Sequence, residues 1–233
     1  MFEYTDPYPT IIKERFIETQ SDSRVFELYS MKNLSSHPTF HKNLISKIDS
    51  LGSKFDIVIL LDYGHGFFDS SVVNYVSNLN IFKALNVQSN GGNNSLNSIS
   101  KFKNINYLTL NSRELFFETF RHAVNDEDYF EHLQTNLNFK RICVTAGSQG
   151  ISLLSEDHEK VKSPALTSKV KDTVGAGDAV LSITCLLSYL NAPLEVLALL
   201  GNIVGAWNVS FVGNSKTLDK KYLRKALKSL LTE

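Results

Sequence analysis

The sequence carries no excess charge of either sign: 24 Lys and Arg balance 24 Asp and Glu over 233 residues. A neutral chain has no broad basic field for nucleic acid and no acidic tail, so any phosphate-binding site has to be local. Cysteine is scarce. Cys143 and Cys185 are the only two, and each sits in an apolar run with no Cys-x-x-Cys pairing. That excludes a disulfide framework and a zinc cluster, and reads as two buried reduced thiols. Long apolar runs are missing as well. The stretch Ala179 to Leu190 is interrupted by Ser182, Thr184 and Ser188 and is too short to span a bilayer. The opening residues MFEYTDPYPT lack the basic-then-apolar layout of a secretory signal. The expectation is a soluble, cytoplasmic protein with neither nucleic acid nor membrane as partner. The hydrophobic content of 42% suffices for one substantial core.

What is present alternates in period. Thr10 to Glu18 and Arg24 to Ser30 flank a polar stretch and predict a strand hairpin. His41 to Leu51 has helical spacing. Phe55 to Leu61 is a nearly continuous apolar run suited to a strand covered on both faces. The alternation continues with a helix over Ser70 to Leu79, strands over Ile81 to Val87 and Asn106 to Leu110, and a helix over Glu127 to Thr135. A strand over Arg141 to Thr145 follows, with Gly150 to Leu154 as its hairpin partner. The last part predicts a helix from the Asp178 region to about Leu190, a second from Leu194 to about Val209, and an amphipathic one from Lys220 to Leu231. Strand, loop and helix in repetition argue for an α/β fold with a mainly parallel sheet, in which ligands gather at the carboxyl ends of the strands. Loops bearing Gly64, Gly91 and Gly147 each follow a predicted strand. No internal repeat or linker divides the chain.

The densest chemical signal is Asp172-Thr173-Val174-Gly175-Ala176-Gly177-Asp178, placed directly before an apolar helical run. Small residues let backbone approach a ligand. The start of a helix offers unpaired N–H groups and the positive end of its dipole, a ready anion site. A carboxylate at Asp178 is placed to accept a proton from a hydroxyl attacking phosphorus, while the neighbouring amides stabilise the transferring phosphoryl group. The competing structural reading is a glycine turn with Asp178 as an ordinary helix N-cap. No Gly-x-Ser-x-Gly elbow and no Gly-x-Gly-x-x-Gly turn opens a helix, so hydrolase and dinucleotide-dependent readings find no support.

The full string Asp-Thr-x-Gly-Ala-Gly-Asp resembles the motif of the ribokinase-like, or PfkB, carbohydrate kinases at every fixed position. The resemblance implies a three-layer α/β/α fold, ATP and Mg²⁺ as cofactors, and a sugar or sugar phosphate as acceptor. It implies Asp178 as catalytic base and Gly175, Ala176 and Gly177 as the anion hole. Upstream, Asn111-Ser112-Arg113-Glu114 matches the family's Asn-x-x-Glu, which implies that Glu114 helps place Mg²⁺ through water; its structural alternative is an N-cap with a first-turn Glu. Thr145-Ala146-Gly147-Ser148-Gln149-Gly150 matches a Thr-x-Gly-x-x-Gly segment and implies that Thr145, Gly147 and Gly150 line the nucleotide. Asn202 follows as a nucleotide contact, with a surface or capping Asn as the alternative. Asp172 is implied in a monovalent-cation (K⁺) loop, and Phe211 to Thr217 in a segment closing on the nucleotide.

Asp62-Tyr63-Gly64-His65-Gly66 resembles the Asp-Tyr-Gly-Lys-Gly loop of the heptose-7-phosphate kinase branch, with His65 in place of Lys. Pro9-Thr10-x-x-Lys13-x-Arg15-Phe16 resembles the same branch. Asp62, Gly64 and His65, with Asn86 and Gln88 at the end of a later strand, are the substrate-side candidates. The resemblance covers residues 1–233 as a single partial domain equivalent to the C-terminal two-thirds of a family member. The region carrying the family's Gly-Gly-x-x-x-Asn sugar-binding motif and its first strands is not among these residues. The expectation is therefore an open sheet edge covered by self-association or by a partner chain supplying the missing region. The functional alternative is a non-catalytic nucleotide-binding or scaffold module.

Overall fold

The computed structural model describes residues 11–20, 23–30, 38–51, 54–89, 93, 96–167, 169–212 and 215–231. Pro9, Thr10, Gly91 and part of the Phe211 to Thr217 segment lie outside the described residues. The elements run β1 (Ile12–Glu18), β2 (Ser23–Ser30), α1 (Pro38–Leu51), β3 (Ile57–Asp62), α2 (Ser70–Ser77), β4 (Phe82–Val87), β5 (Tyr107–Asn111) and α3 (Ser112–His122). They continue with α4 (Asp126–Leu137), β6 (Arg141–Thr145), β7 (Ile151–Ser155), β8 (Lys160–Ser163), α5 (Ala176–Tyr189), α6 (Leu194–Asn208) and α7 (Lys220–Leu231). β1 and β2 pair as an antiparallel hairpin. The other strands form one sheet in the order β3-β4-β5-β6-β7-β8. Its first four strands are parallel, and β7 and β8 add antiparallel to the end.

Alternation along each central strand sends successive side chains to opposite faces. Leu85, Leu108, Ile142 and Val144 pack with α1 to α4, through Leu44, Val72, Val76, Tyr129 and Leu133. Ala84, Tyr107 and Cys143 face the other way and pack with α5 and α6, through Val180, Leu181, Cys185 and Leu197. The result is a helix layer on each side of the sheet, the α/β/α arrangement expected. Both cysteines are free and buried. Burial pushes the Cys143 thiol up to about 12 and raises that of Cys185, so both are protonated and inert at neutral pH.

Local chemistry sets the helix ends. Asp69 caps α2 by accepting from the Val72 amide at 2.9 Å. Asn125 caps α4 by accepting from the Asp128 amide at 2.9 Å. Two elements were missed in the sequence. α3 has Glu114, Leu115, Glu118 and Thr119 on its buried side, so polar and apolar residues share the inner face and no apolar stripe marks it. β8 is four residues long and rich in Lys.

One expectation needs correction. The apolar run ending in β3 was read as covered on both faces, but β3 is the sheet edge and only one face is covered. Leu60 is 4% exposed, whereas Ile59 and Leu61 on the opposite face are 44% and 42% exposed. A parallel strand this apolar is ordinarily buried on both sides, and nothing on β3 blunts its edge.

A buried carboxylate fixes the polar turn between β4 and β5. Glu118 accepts from the Tyr129 hydroxyl at 2.7 Å, Ser98 Oγ at 3.0 Å, the Ile99 amide at 3.2 Å and Arg121 at 2.5 Å. Burial and the neighbouring carboxylate raise the Tyr129 phenol far above its ordinary value, so it stays a donor. Replacing Glu118 by Leu orphans these donors and is expected to cost about 3 kcal/mol in chemical denaturation. Lys160→Ala, which removes an exposed pair with Glu127, is expected to change stability by less than about 0.5 kcal/mol.

Candidate active site

A cavity of about 400 Å³ lies at the carboxyl ends of β5 and β6, beside the start of α5. It brings together Asn111, Thr145, Gly147, Gly150, Ala176, Gly177 and Asn202, seven of the nucleotide-side candidates. The turn after β6 shapes one wall. Gly150 has φ 87°, and a Cβ there would lie 2.1 Å from the Ser163 carbonyl oxygen. Only glycine permits the end of β8 to cross this closely. Asn202 on α6 holds the same crossing, donating through Nδ2 to Ser163 Oγ at 2.9 Å and to Ser163 O at 3.2 Å. Asn202 is therefore neither a surface residue nor a cap. It is buried and pins β8 to α6 while facing the cavity.

The opposite wall is the beginning of α5. Gly175 is the N-cap residue, with φ 76° and no side-chain hydrogen bond to the helix. Its left-handed backbone turns the chain into the helix; the Ala176 amide donates to the Thr173 carbonyl at 3.3 Å, and no side chain caps the Gly177 and Asp178 amides. A Cβ on Gly177 would meet nothing within 4 Å, so the space beside this residue is open. Asp178 is thus not the cap. It stands exposed in the first turn, one residue beyond the cavity lining. The preceding loop is held by the Val209 carbonyl, which accepts from Lys171 N at 2.8 Å and Asp172 N at 3.3 Å. The Asp172 carboxylate accepts from the Val174 amide at 3.0 Å.

Glu114 forms a full capping box with Asn111: Asn111 Oδ1 accepts from Glu114 N, and Glu114 Oε2 from Asn111 N, both at 2.8 Å. Its Oε1 accepts from Ser89 N at 3.3 Å. Burial raises the Glu114 carboxyl above 4.5, and the charge of Asp178 adds to the rise. The capping role and closeness to the Asp178 charge coexist. Among the described residues no cluster of three His, Cys, Asp or Glu side chains is assembled around a metal-sized space.

A second cavity of about 390 Å³ lies between the hairpin, through Ile11, Lys13 and Tyr29, and the end of β3, through Leu61, Tyr63, His65 and Phe67. Of Asp62, Gly64, His65, Asn86 and Gln88, only His65 lines this cavity on the hairpin side. Burial and the Asp178 charge raise the Tyr63 phenol, whereas Lys13 lowers it. Tyr63 therefore stands within electrostatic reach of both the motif carboxylate and the hairpin cation. Burial holds His65 below 6.5, with Lys13 acting in the same direction and Asp62 opposing. The imidazole is neutral at pH 7, so the positive charge of this cavity comes from Lys13, which sequence reasoning left out of the site. Asn86 is placed differently from expectation: its Nδ2 donates to the Thr109 carbonyl at 3.0 Å, bridging β4 and β5.

Asp62 is buried and anchors the loop. Its Oδ1 accepts from Gly64 N at 2.9 Å and its Oδ2 meets Lys101 Nζ at 2.5 Å. Asn97 accepts from Lys101 at 2.7 Å and donates to the Asp62 carbonyl at 3.1 Å. Gln88 N donates to that carbonyl at 2.8 Å, and Asn93 donates to the Tyr63 and Gln88 carbonyls at 3.1 and 2.7 Å. Lys101, Asn93 and Asn97 carry no local sequence signal; only the fold brings them to Asp62.

The profile of the pfkB family carbohydrate kinases matches residues 76–221. The chain belongs to this family. It is 31% identical over 181 residues to the bifunctional protein HldE of Campylobacter fetus subsp. fetus, covering 74% of this chain and 37% of that protein. The chain thus spans well under half the length of this pfkB-family relative. Among solved structures it is similar to ribokinase from Thermotoga maritima, with a TM-score of 0.73 at 19% identity, covering 95% of this chain and 70% of that one. It is also similar to Arabidopsis thaliana ribokinase complexed with ribose and ATP, with a TM-score of 0.69 at 16% identity, covering 95% and 70%. These confirm the ribokinase-like fold for this pfkB-family chain. No helix among the described residues is long and apolar enough to cross a membrane.

Lys101→Met leaves the buried Asp62 carboxylate without its cation and is expected to lower stability by about 2 kcal/mol, with Lys101→Arg recovering most of it. Urea denaturation of the three proteins measures this.

Proposed function

We propose that residues 1–233 act as one unit that transfers the γ-phosphoryl group of ATP to a hydroxyl of a sugar or sugar phosphate. The observation that carries the reading is the uncapped start of α5, which closes the 400 Å³ cavity at Gly177 and presents Asp178 just beyond it. Nucleotide occupies this cavity against Thr145, Gly147, Gly150 and Asn202, with its terminal phosphates at the amides of Gly175 to Gly177. Asp178 takes the proton of the attacking hydroxyl, and the same amides stabilise charge on the phosphoryl group in flight. Mg²⁺ would be held by the phosphates and, through water, by Glu114, and when bound it neutralises phosphate charge. Asp172 and its loop would take K⁺. The acceptor lies in the hairpin cavity, with Tyr63 and neutral His65 as hydrogen-bonding groups and Lys13 as the cation that favours a phosphorylated sugar. The loop Asp62-Tyr63-Gly64-His65-Gly66, which resembles that of the heptose-7-phosphate kinase branch, supports that acceptor class.

The open edge of β3, with Ile59 and Leu61 half in solvent, supports the further reading that another polypeptide segment or a second copy covers it in the active assembly. The same exposure favours a second reading, a nucleotide-binding module without turnover.

Asp178→Asn separates the two readings. In a preparation that releases ADP in response to a sugar phosphate, the variant is expected to lose roughly 10² to 10⁴ in kcat while nucleotide affinity changes little. Retained turnover would remove the assignment. ATP binding without ADP release from the parent protein, alone and with sugar phosphates, would establish the module instead.

A further inference from the structure

Whole-chain neutrality hides one concentrated exception. α7, KKYLRKALKSLL, contains Lys220, Lys221, Arg224, Lys225 and Lys228 and no acidic residue. At 3.6 residues per turn these five cations fall within a single arc of about 140°, with Tyr222, Leu223, Ala226, Leu227 and Leu230 on the remainder. All five are exposed, while Leu223, Ala226 and Leu227 are only half-buried against the body of the protein. Among the described residues, Lys220, Lys221, Arg224 and Lys225 meet no carboxylate. The same helix exposes apolar groups: Tyr222 and Leu230 are 38% and 43% exposed.

We infer that α7 is a docking surface for an anionic phospholipid membrane, on which the protein lies peripherally. Charge complementarity commits the partner to an anionic one. The exposed apolar groups favour a lipid headgroup boundary over nucleic acid, because interfacial helices combine a Lys/Arg-rich face with partly inserted apolar side chains, whereas a nucleic-acid surface asks for cations alone or with base-reading groups. Each Lys or Arg near an anionic surface strengthens binding about fivefold. The helix also reaches the candidate site. Tyr222 packs on Trp207 with ring centroids 4.0 Å apart, and Trp207 follows Ala206, which lines the 400 Å³ cavity. Trp207 is the only tryptophan in the chain, so its emission reports directly on α7.

The test is sedimentation of the whole protein with vesicles of phosphatidylcholine containing about one-third phosphatidylglycerol, and with pure phosphatidylcholine vesicles. Both are run at about 0.05 M and about 0.5 M NaCl, since salt shortens the reach of surface charge. Binding is expected only to the anionic vesicles at low salt, with a change in Trp207 emission. The double variant Lys221→Gln/Lys225→Gln is expected to bind roughly twentyfold more weakly; both positions are exposed, so its thermal midpoint should match the parent's. No sedimentation at low salt, equal binding to neutral vesicles, or an unaffected double variant would overturn the inference. So would tighter binding to a DNA duplex than to anionic vesicles, which would reassign α7 to nucleic acid. None of these readouts depends on phosphoryl transfer, so failure here leaves the kinase reading standing.

Discussion

An α-helix begins with amides that have no acceptor within the helix, and the rest of the candidate site is arranged around that deficit at α5. Gly175 enters the helix with φ 76° and brings no side chain to satisfy those amides. Gly177 adds no Cβ to cover them. An electronegative ligand is what the local physics asks for. The walls of the cavity are then placed by two close backbone crossings: Gly150 under Ser163, and the Val209 carbonyl over Lys171 and Asp172. Each is a contact between segments distant in sequence, so the shape of the cavity depends on the packing of α6 as much as on the motif itself.

Electrostatics joins the two cavities. Burial raises both Tyr63 and Glu114 and the Asp178 charge adds to each, placing one carboxylate within electrostatic reach of the hairpin cavity and of the capping box beside the 400 Å³ cavity. Burial keeps His65 neutral and leaves Lys13 as the hairpin cation. The substrate-side loop is held by a paired buried carboxylate, Asp62 with Lys101, and the turn that carries Lys101 is held by a second, Glu118. A network of satisfied buried polar groups specifies one loop geometry, which an apolar core at the same place would leave less defined.

Most of the architecture was legible in the sequence because apolar periodicity changes cleanly between strands and helices. β6 agrees to the residue, and α5, α6 and α7 agree within a residue or two. The failures have physical causes. α3 escaped because its buried side includes Glu114, Glu118 and Thr119, satisfied by partners that periodicity cannot show. β3 read as fully buried because its composition is that of an interior strand, although it stands at an edge. At the site, Asp178 lies in the first turn of α5 as the functional reading of the motif required, and the competing N-cap role falls to Gly175. Asn202 lines the cavity while bonded to Ser163, and Asn86 donates to the Thr109 carbonyl, partners that only the fold brings to them. Lys101 was invisible because its partner, Asp62, is close only after folding. His65 was legible as a residue but not as a neutral one, since its burial comes from the hairpin cavity.

The central claim is that the start of α5 receives the phosphates of a nucleotide. Titration of the protein with ATP, ADP and adenosine in the presence of Mg²⁺, followed by Trp207 emission beside the cavity, tests it most directly. The account predicts saturable changes with ATP and ADP and binding of adenosine at least about tenfold weaker, as expected when charge-assisted hydrogen bonds to phosphate are lost. No response to ATP, or adenosine binding as tightly as ATP, would contradict it.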